Sequence, residues 1–417
     1  MMKKFLYFFL LVVTAFAHEP KKHSAKPVII GADILFTERK DLINGKRVAL
    51  VTNHTGVLSN GKHLVDALFE NKKTSLVEIF GPEHGVRGDA PDGTHISDSV
   101  DAKTGVKVIS LYGKINKPTP EMLKDIDVLI YDIQDVGVRF YTYISTMLLC
   151  MEACAENNVH FVVLDRPNPI GGENVEGPIR IDSLKSFVGW APIPVAYGMT
   201  AGELAVLANT SGWLANRVHA KLTVVKMENW KRSMYYDNTK LPWIKPSPNM
   251  PTLETAVVYP GTCLIEGINV SEGRGTEKPF EYIGAPWIKG KDLSQLMNKQ
   301  NLSGVKFEPI EFTPVQIPLT TTNPKYKYQS CEGIAISVTD RKKYEAVKTG
   351  LAIVWAIHRL YPDSLVFRES GFDRLMGTPV PRQMILEGKT VPEIVSIWKE
   401  DLEVFKKQRR KGLLYID

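Results

Sequence analysis

Four short apolar runs in the first half of the chain each end in a cluster of polar, turn-forming and ionisable residues. They are VALVTNHTG (48–56), LVEIFGPEHG (76–85), VLIYDIQDVG (128–137) and FVVLDRPNP (161–169). A continuous apolar run is typical of a strand buried on both faces, as in a parallel sheet covered by helices. Ligands of open α/β sheets bind beyond the carboxyl ends of the strands, where loops converge. We therefore predict one cleft that collects the polar residues after these runs: Asn53, His54, Glu83, His84, Asp132, Gln134, Asp135, Arg139, Asp165 and Arg166. Capping a helix or satisfying loop backbone is the alternative role for any one of them.

Strands and helices alternate up to about residue 170. The pattern predicts strands at 48–52, 76–80, 106–111, 128–133 and 160–165, with helices at 62–72, 119–125 and 141–157 between them. Such alternation predicts an α/β fold, a Rossmann-like doubly wound parallel sheet with right-handed crossovers. Neither a P-loop nor a GxGxxG motif follows any strand, so the phosphate cradle of a nucleotide site is missing and we expect no cofactor.

The second half of the chain continues the sheet and then changes character. Thr200 and Glu203 form a capping box that opens a helix over 200–210, and a strand follows at 222–227. From about residue 281 the pattern is mixed: a helix at 291–300, strands near 305–318 and 332–338, and helices at 341–360, 370–377 and 391–408. We predict a catalytic domain over 27–280 and a smaller α+β C-terminal domain over 281–417.

The N-terminus has the pattern of a secretory signal peptide over residues 1–17. Lys3 and Lys4 precede an apolar stretch, and Ala15-Phe16-Ala17 supplies the small residues of a cleavage site after Ala17. A polar, loose segment follows at 18–26, and no later window offers the ~20 apolar residues of a membrane span. We therefore expect a secreted or periplasmic protein that does not associate with the membrane once the signal is cleaved.

Charge and cysteine content indicate which binding partners, disulfides and metal sites to expect. The net charge is +6, and the basic run KKQRRK (406–411) suits the last turns of a helix, whose dipole it complements, so we expect no nucleic-acid partner. Cys150 and Cys154 lie one turn apart in an apolar helix and are expected to be buried thiols, whereas pairing of Cys263 with Cys331 stays open. No CxxC or Cys/His spacing indicates a metal. The sequence leaves the oligomeric state open.

Two loops in the middle of the chain are expected to lie over the cleft. KPSPNMP (245–251) is stiffened by prolines and presents Asn249, while the glycine-rich stretch 266–280 contains Glu272 and Arg274.

Seven motifs, in order, resemble those of the exo-β-N-acetylmuramidase NamZ family, formerly a bacterial domain of unknown function. They cover nearly all of the chain after the signal: TNHTG (52–56), GPEHGVRG (81–88), DIQDVGVRFYTY (132–143), DRPNPIGG (165–172), YGMTAGEL (197–204), PSPNMPT (246–252) and EGINVSEGRGTEKPFEYIGAPW (266–287). The resemblance implies a glycoside hydrolase that releases N-acetylmuramic acid from the non-reducing ends of peptidoglycan fragments. It also implies that the glutamate of the EHG motif, here Glu83, is catalytic.

The residue types fit this chemistry. Glycosidic cleavage needs a proton donor at the leaving oxygen and stabilisation of an oxocarbenium-like centre, generally from two carboxyl groups. Glu83 is our candidate general acid/base, and we place His84 beside it in the catalytic group. The second group stays open between Asp135 or Asp132, Glu272, and the 2-acetamido group of the substrate itself.

Substrate recognition requires a cation for the lactyl carboxylate of muramic acid. Arg139, Arg166 and Arg274 are the candidates, since arginine can pair with a carboxylate through two parallel hydrogen bonds. Internal pairing with an acidic side chain is the alternative for each. Tyr141 either forms the floor of a sugar subsite or packs in the helix that begins there. Asn53, His54, Asn249 and Glu272 complete the predicted binding residues.

Two other classes of function use the same residues. An exported binding protein would hold the saccharide in the cleft without turnover. A metal-dependent hydrolase would use His54, His84 and His95 with Asp89, Asp92 or Glu83, although no HxxE or HxH spacing supports it.

Overall fold

A seven-stranded sheet forms the centre of the first half of the chain. The structure is a computed structural model that describes residues 26–88 and 99–416, so the predicted signal peptide lies outside the described residues. The strands are β1 (Arg47–Thr52), β2 (Ser75–Gly81), β3 (Ser99–Val100), β4 (Lys107–Ser110), β5 (Val128–Asp132), β6 (His160–Leu164) and β7 (Leu222–Val225). Their order is β3-β4-β2-β1-β5-β6-β7, and all pairs are parallel except β3 with β4.

The chain reverses its direction across the sheet between β1 and β5. It runs outward from β1 through β2 to β4 and then returns to β5 on the other side of β1. Such a switch point opens a crevice beyond the carboxyl ends of the two central strands. Thr52 pairs with Asp132 in the register of β1 and β5, so the loops that follow these strands start side by side.

Both faces of the sheet are buried, which confirms the prediction that the continuous apolar runs form strands covered on both sides. Val48 and Leu50 of β1 belong to one core and Ala49 and Val51 to the other. The helices that accompany the sheet are α1 (Gly31–Thr37), α2 (Leu64–Glu70), α3 (Pro120–Leu123), α4 (Tyr143–Glu156) and α5 (Ala201–Thr210). The predicted doubly wound α/β fold is therefore confirmed, and so is the capping box of Thr200 and Glu203.

A small antiparallel sheet and seven helices make up the rest. The strands β8 (Tyr282–Ala285), β9 (Val305–Phe312) and β10 (Cys331–Val338) lie in the order β8-β10-β9. The helices are α6 (Leu253–Thr262), α7 (Gly290–Lys299), α8 (Ala346–Leu360), α9 (Glu369–Met376), α10 (Val380–Leu386), α11 (Val391–Ser396) and α12 (Lys399–Gln408). The predicted α+β character of this part is confirmed, while the predicted boundary at residue 280 stays a prediction.

Some predicted elements differ from the structure. The single helix predicted over 391–408 is two helices, because Ile397 ends α11 with a hydrogen bond to the Ile394 carbonyl and Trp398 has a non-helical backbone. The strand predicted over 305–318 stops at Phe312. The short elements α1, α6, α10 and β8 were not predicted, and α6 contains Pro260, which normally disfavours a helix interior.

The crossing of α6 and α8 depends on two glycines. A Cβ on Gly261 would lie 1.9 Å from the Ala346 carbonyl oxygen, and one on Gly350 would lie 2.1 Å from the Gly261 oxygen. Only glycine allows this backbone approach. The crossing fixes the end of α6, which carries Tyr259, and the 3₁₀ turn Cys263–Gly267 that follows it.

The C-terminal segment returns to the large sheet. Tyr415 donates its hydroxyl to Asp165 at 2.6 Å, and Arg409 of the basic run donates to the carbonyls of Gly172 and Gly198 at 3.0 and 2.7 Å. This gives Arg409 a structural role. All four cysteines are buried free thiols, including Cys263 and Cys331. In the part of the chain that the structure describes, no helix has the length and apolar character of a membrane span.

Candidate active site

Glu83 lies in a tight turn directly after β2. His84 has a backbone φ of 72° and Gly85 one of 75°, and the Gly85 N–H donates to the Pro82 carbonyl at 3.1 Å. A left-handed conformation is uncommon outside glycine, although histidine adopts it more often than most residues, and it persists where the surroundings hold it. The turn leaves the Glu83 side chain half-buried and buries that of His84.

Thr142, the residue before α4, donates its hydroxyl to Glu83 Oε2 at 2.9 Å. Threonine in this position usually accepts a bond from the first turn of its own helix. Here the helix start has no side-chain cap, and the Thr142 hydroxyl donates its hydrogen bond to Glu83 instead.

A cleft of about 170 Å³ opens in front of these two residues. Elements from both halves of the chain line it: Glu83, His84, Tyr112, Phe140, Tyr141, Thr142, Tyr143, Val188, Ser247, Met250, Tyr259, Glu266, Arg274 and Phe280. Among the described residues, the cleft therefore contains two carboxylates, one guanidinium and several aromatic rings.

The aromatic residues pack edge to face. The ring of Tyr141 lies 4.9 Å from that of Tyr143 and 5.9 Å from that of Tyr259, and Tyr259 lies 4.7 Å from Phe280. Tyr141 lies two residues before α4, packs against these rings and lines the cleft, while its role in a sugar subsite stays a prediction. Such a wall suits the apolar face of a sugar ring.

Glu266 and Arg274 form a second polar group in the cleft. Arg274 donates from Nε and Nη2 to Glu266 Oε1 at 3.2 and 2.8 Å, and its guanidinium lies 5.0 Å from the ring centre of Phe280. The Cys263 thiol lies 3.8 Å from the other carboxylate oxygen of Glu266. Burial, with Glu266 nearby, raises the pKa of this thiol, so it stays protonated.

The proline-rich loop is anchored against the cleft from two sides. Tyr143 donates its hydroxyl to the Pro246 carbonyl at 2.7 Å, and His54 Nε2 lies 2.8 Å from the Lys245 carbonyl oxygen. Burial lowers the pKa of His54, which favours the neutral ring with Nε2 as the donor. Asn249 is buried and accepts a 2.9 Å bond from Thr321, so it joins this loop to the segment between β9 and β10.

Among the predicted site residues, the structure brings Glu83, His84, Tyr141 and Arg274 together in the cleft. Asp135 is not among the lining residues. It is buried and accepts hydrogen bonds from the Gly137 amide and the Tyr197 hydroxyl. Burial raises its pKa to about 6.

Three further predicted residues lie in the interior instead of lining the cleft. Asn53 is fully buried, and its side-chain oxygen accepts from the Thr55 amide and hydroxyl at 2.9 and 2.6 Å. Arg166 pairs with Asp132 through two bonds of 2.6 and 2.8 Å, which is the internal pairing considered as the alternative.

Arg139 is the third; it is fully buried, and no carboxylate of the described residues pairs with it. Its guanidinium donates to three backbone carbonyls, those of Pro178, Ile193 and Leu375, at 2.7 to 2.8 Å. Burial lowers its pKa to about 9, helped by the nearby charge of Arg180. Its contact with Leu375 of α9 joins the two halves of the chain.

Glu272 is buried next to the cleft. It lies 3.0 Å from Lys325 Nζ and 3.5 Å from Arg274 Nε. Sequence reasoning gave weight to Glu272 and did not select Glu266, although Glu266 opens the same motif. Tyr112 and Tyr259 were also missed, and α6, which carries Tyr259, was not predicted at all.

Within residues 26–88 and 99–416, no group of three or more histidine, cysteine or acidic side chains is arranged to hold a metal ion. His95, Asp89 and Asp92, considered above as ligands, lie outside the described residues.

Glycoside hydrolases generally use two carboxyl groups beside the bond that they cleave. This aromatic cleft has a half-buried carboxylate and a second carboxylate on its wall, and so fits that class of enzyme. Comparison with known families agrees. Residues 48–254 match the family model for the N-terminal part of the exo-β-N-acetylmuramidase NamZ, and residues 257–415 match the model for its C-terminal part. The chain belongs to this family.

Individual relatives cover nearly the whole chain. It is 50% identical to the peptidoglycan β-N-acetylmuramidase NamZ of Bacillus subtilis (strain 168) over 408 residues, which are 97% of this chain and 96% of that one. Two crystal structures of DUF1343 family proteins from Bacteroides fragilis NCTC 9343 are similar. One has a TM-score of 0.87 at 38% identity and the other a TM-score of 0.78 at 40% identity. Each match covers 94% of this chain and 99% or all of the other.

Proposed function

We propose that this protein is an exported exo-β-N-acetylmuramidase that releases N-acetylmuramic acid from the non-reducing ends of peptidoglycan fragments during cell-wall turnover. The position of Glu83 carries the proposal: a carboxylate at the strand ends, bonded to Thr142 at 2.9 Å, facing an aromatic cleft. The similarity to the Bacillus subtilis enzyme supports the same substrate.

Glu83 acts as the general acid/base in this mechanism. Its carboxyl group donates a proton to the glycosidic oxygen while the bond between that oxygen and the anomeric carbon breaks. Water then adds to the anomeric carbon, and its proton returns to a carboxylate. Thr142 orients Glu83 for this transfer.

The second group is Glu266 or the 2-acetamido group of the substrate. Glu266 is a second carboxylate that lines the cleft. Asp132 is engaged by Arg166, and Asp135 and Glu272 are buried outside the lining, which disfavours these earlier candidates.

The size of the cleft supports exo action. Its volume of about 170 Å³ is below the ~300–1,000 Å³ of pockets for larger ligands, so it suits one sugar. Among the three candidate arginines, Arg274 is the one that lines the cleft. It has the internal partner considered as the alternative, Glu266 at 2.8 Å, and it is our choice for the lactyl carboxylate, which would share the guanidinium with Glu266.

One assay tests the activity. The protein without residues 1–17 is incubated with the disaccharide in which N-acetylmuramic acid is β-linked to N-acetylglucosamine, and products are identified by mass. We expect both free monosaccharides with the wild type and their release to be at least ~10²-fold slower with Glu83→Gln. Intact disaccharide that binds tightly to the wild type would instead indicate a binding protein. Export is tested separately, by the presence of a processed chain starting at His18 outside the cytoplasm.

A further inference from the structure

An open groove of about 780 Å³ adjoins the cleft and shares Glu266 and Arg274 with it. Its other walls come from the segment before β10, from Glu272 and from the start of α9: Glu272, Asn323, Pro324, Lys325, Tyr326, Lys327, Gln329 and Arg368. The groove is large enough for a ligand of several sugar units. A saccharide chain that has its terminal sugar in the cleft can continue into it.

The charges of the groove are unevenly compensated. Lys325 lies 3.0 Å from Glu272, and Arg274 lies 2.8 Å from Glu266, so both inner cations have carboxylate partners. Lys327, which lines the groove and is not among the lining residues of the cleft, donates to the neutral side chain of Gln316 at 2.7 Å. Within the described residues, neither Lys327 nor the exposed Arg368 has a carboxylate partner, so the groove presents two uncompensated positive charges.

The groove wall is held rigidly. Lys325 Nζ donates to three backbone carbonyls between residues 265 and 270 at 2.8 to 2.9 Å. Tyr326 and Tyr328, on either side of Lys327, have φ values of 55° and 63°. Such left-handed conformations persist where the surroundings hold them, as they do at ligand sites. Lys327 therefore lies on a backbone segment that these contacts hold, and its ammonium group donates to Gln316.

We propose that this groove binds the glycan chain on the leaving-group side, with Lys327 and Arg368 pairing the carboxylate of a muramic acid two sugars beyond the cleaved bond. The inference rests on the proposed function. In an alternating glycan with N-acetylmuramic acid in the cleft, the next sugar has no carboxylate and the one after it has one. Ammonium and guanidinium groups form strong, charge-assisted hydrogen bonds with such a group.

The experiment compares three substrates of increasing length. The first is an aryl β-N-acetylmuramide, which has no sugar as its leaving group. The second is the disaccharide, and the third is the tetrasaccharide with N-acetylmuramic acid at its non-reducing end. Lys327→Gln/Arg368→Gln is compared with the matched control Lys291→Gln/Arg359→Gln, which removes the same charges at exposed positions on α7 and α8.

We expect KM for the tetrasaccharide to rise about tenfold in the groove variant, with kcat unchanged and with no effect on the two shorter substrates. The preference of the wild type for the tetrasaccharide should also fall with added salt. In a Glu83→Gln background, calorimetry should show the same tenfold loss of tetrasaccharide affinity, which separates binding from turnover.

Several results would overturn the proposal. An equal loss on all three substrates would mean that these cations contact the sugar in the cleft or support the fold. An unchanged tetrasaccharide KM would remove them from the site. A wild type that cleaves the aryl muramide but does not prefer the tetrasaccharide would defeat the groove proposal alone, whereas inactivity on every substrate would defeat the proposed function with it.

Discussion

Thr142 Oγ1 donates a 2.9 Å hydrogen bond to Glu83 Oε2 and thereby joins the start of α4 to the turn after β2. The two residues are 59 positions apart, and the bond exists because the sheet order places β2 and β5 on either side of β1. The helix gives up its side-chain cap at this position. A residue that would normally stabilise a helix end orients a carboxylate instead.

Thr142→Val should lower kcat about tenfold with little change in KM, because the Thr142 hydroxyl is engaged by Glu83 and acts in our mechanism by orienting that carboxylate. A hydrogen bond to a charged group is worth ~1.5–3 kcal/mol. Thr142→Ser keeps the hydroxyl and should recover most of the activity. Steady-state kinetics on the disaccharide measure both. A loss in the valine variant that appears in KM alone would contradict an orienting role.

Glu83→Gln should lower turnover by ~10²–10⁴-fold, since the amide keeps the shape but cannot deliver a proton. The loss should be smaller on aryl glycosides with good leaving groups, which need less protonation. Glu121→Gln, at an exposed position of α3, is the matched control and should behave as the wild type. Equal, modest losses on both kinds of substrate would show that Glu83 is not the general acid.

The sheet could be predicted because its signal is local. The run 128–133 has no polar residue before Asp132, and all five residues of β5 are indeed buried. The turn at Glu83 follows such a run directly, and the aromatic pair Tyr141 and Tyr143 comes after the loop that follows β5. Their convergence follows from the sheet topology alone.

The far wall of the cleft depends on contacts between distant segments. Glu266 and Tyr259 reach it through the crossing of α6 with α8, where Gly261 meets Gly350, 89 positions along the chain. Nothing in either segment alone indicates that crossing. The three candidate arginines likewise look equivalent in sequence. Their partners, Asp132 for Arg166 and three backbone carbonyls for Arg139, are fixed only by tertiary structure.

Arg274→Ala should lower kcat/KM on β-N-acetylmuramides by about one to two decades and hardly change any activity on glucosaminides, which lack the lactyl carboxylate. This expected loss in kcat/KM corresponds to the removal of one desolvated, charge-assisted hydrogen bond. Arg274→Lys should recover part of the loss, since it restores the charge without the planar fork. The ratio of the two substrate activities is the measurement. An unchanged ratio in the alanine variant would exclude Arg274 from lactyl recognition.

Arg139→Met should destabilise the protein by about 3–5 kcal/mol, because it leaves three buried carbonyls without donors. Urea unfolding measures the change. The folded fraction should keep its muramide preference, as Arg139 is not among the lining residues of the cleft. Arg374→Met, at an exposed position of α9, is the control and should leave the free energy of unfolding within ~0.5 kcal/mol of the wild type. A selective loss of muramide activity without destabilisation would show that Arg139 takes part in substrate recognition.

Asp135→Asn should flatten the pH dependence of stability. Burial raises the pKa of Asp135 to about 6 in the folded protein, whereas an unfolded aspartate titrates near its ordinary value of 3.8. Between these values the unfolded chain ionises first, so the contribution of Asp135 to stability falls as pH rises from about 4 and is fully lost above about pH 6.

Asparagine at position 135 keeps an acceptor for the Gly137 amide and the Tyr197 hydroxyl but cannot ionise. The free energy of unfolding of the variant, relative to the wild type, should therefore rise by about 2 kcal/mol between pH 4 and pH 7. Urea unfolding at both pH values measures it, with the exposed Asp363→Asn as a control that should show no such rise. Parallel profiles of Asp135→Asn and the wild type would show that Asp135 titrates normally in the fold.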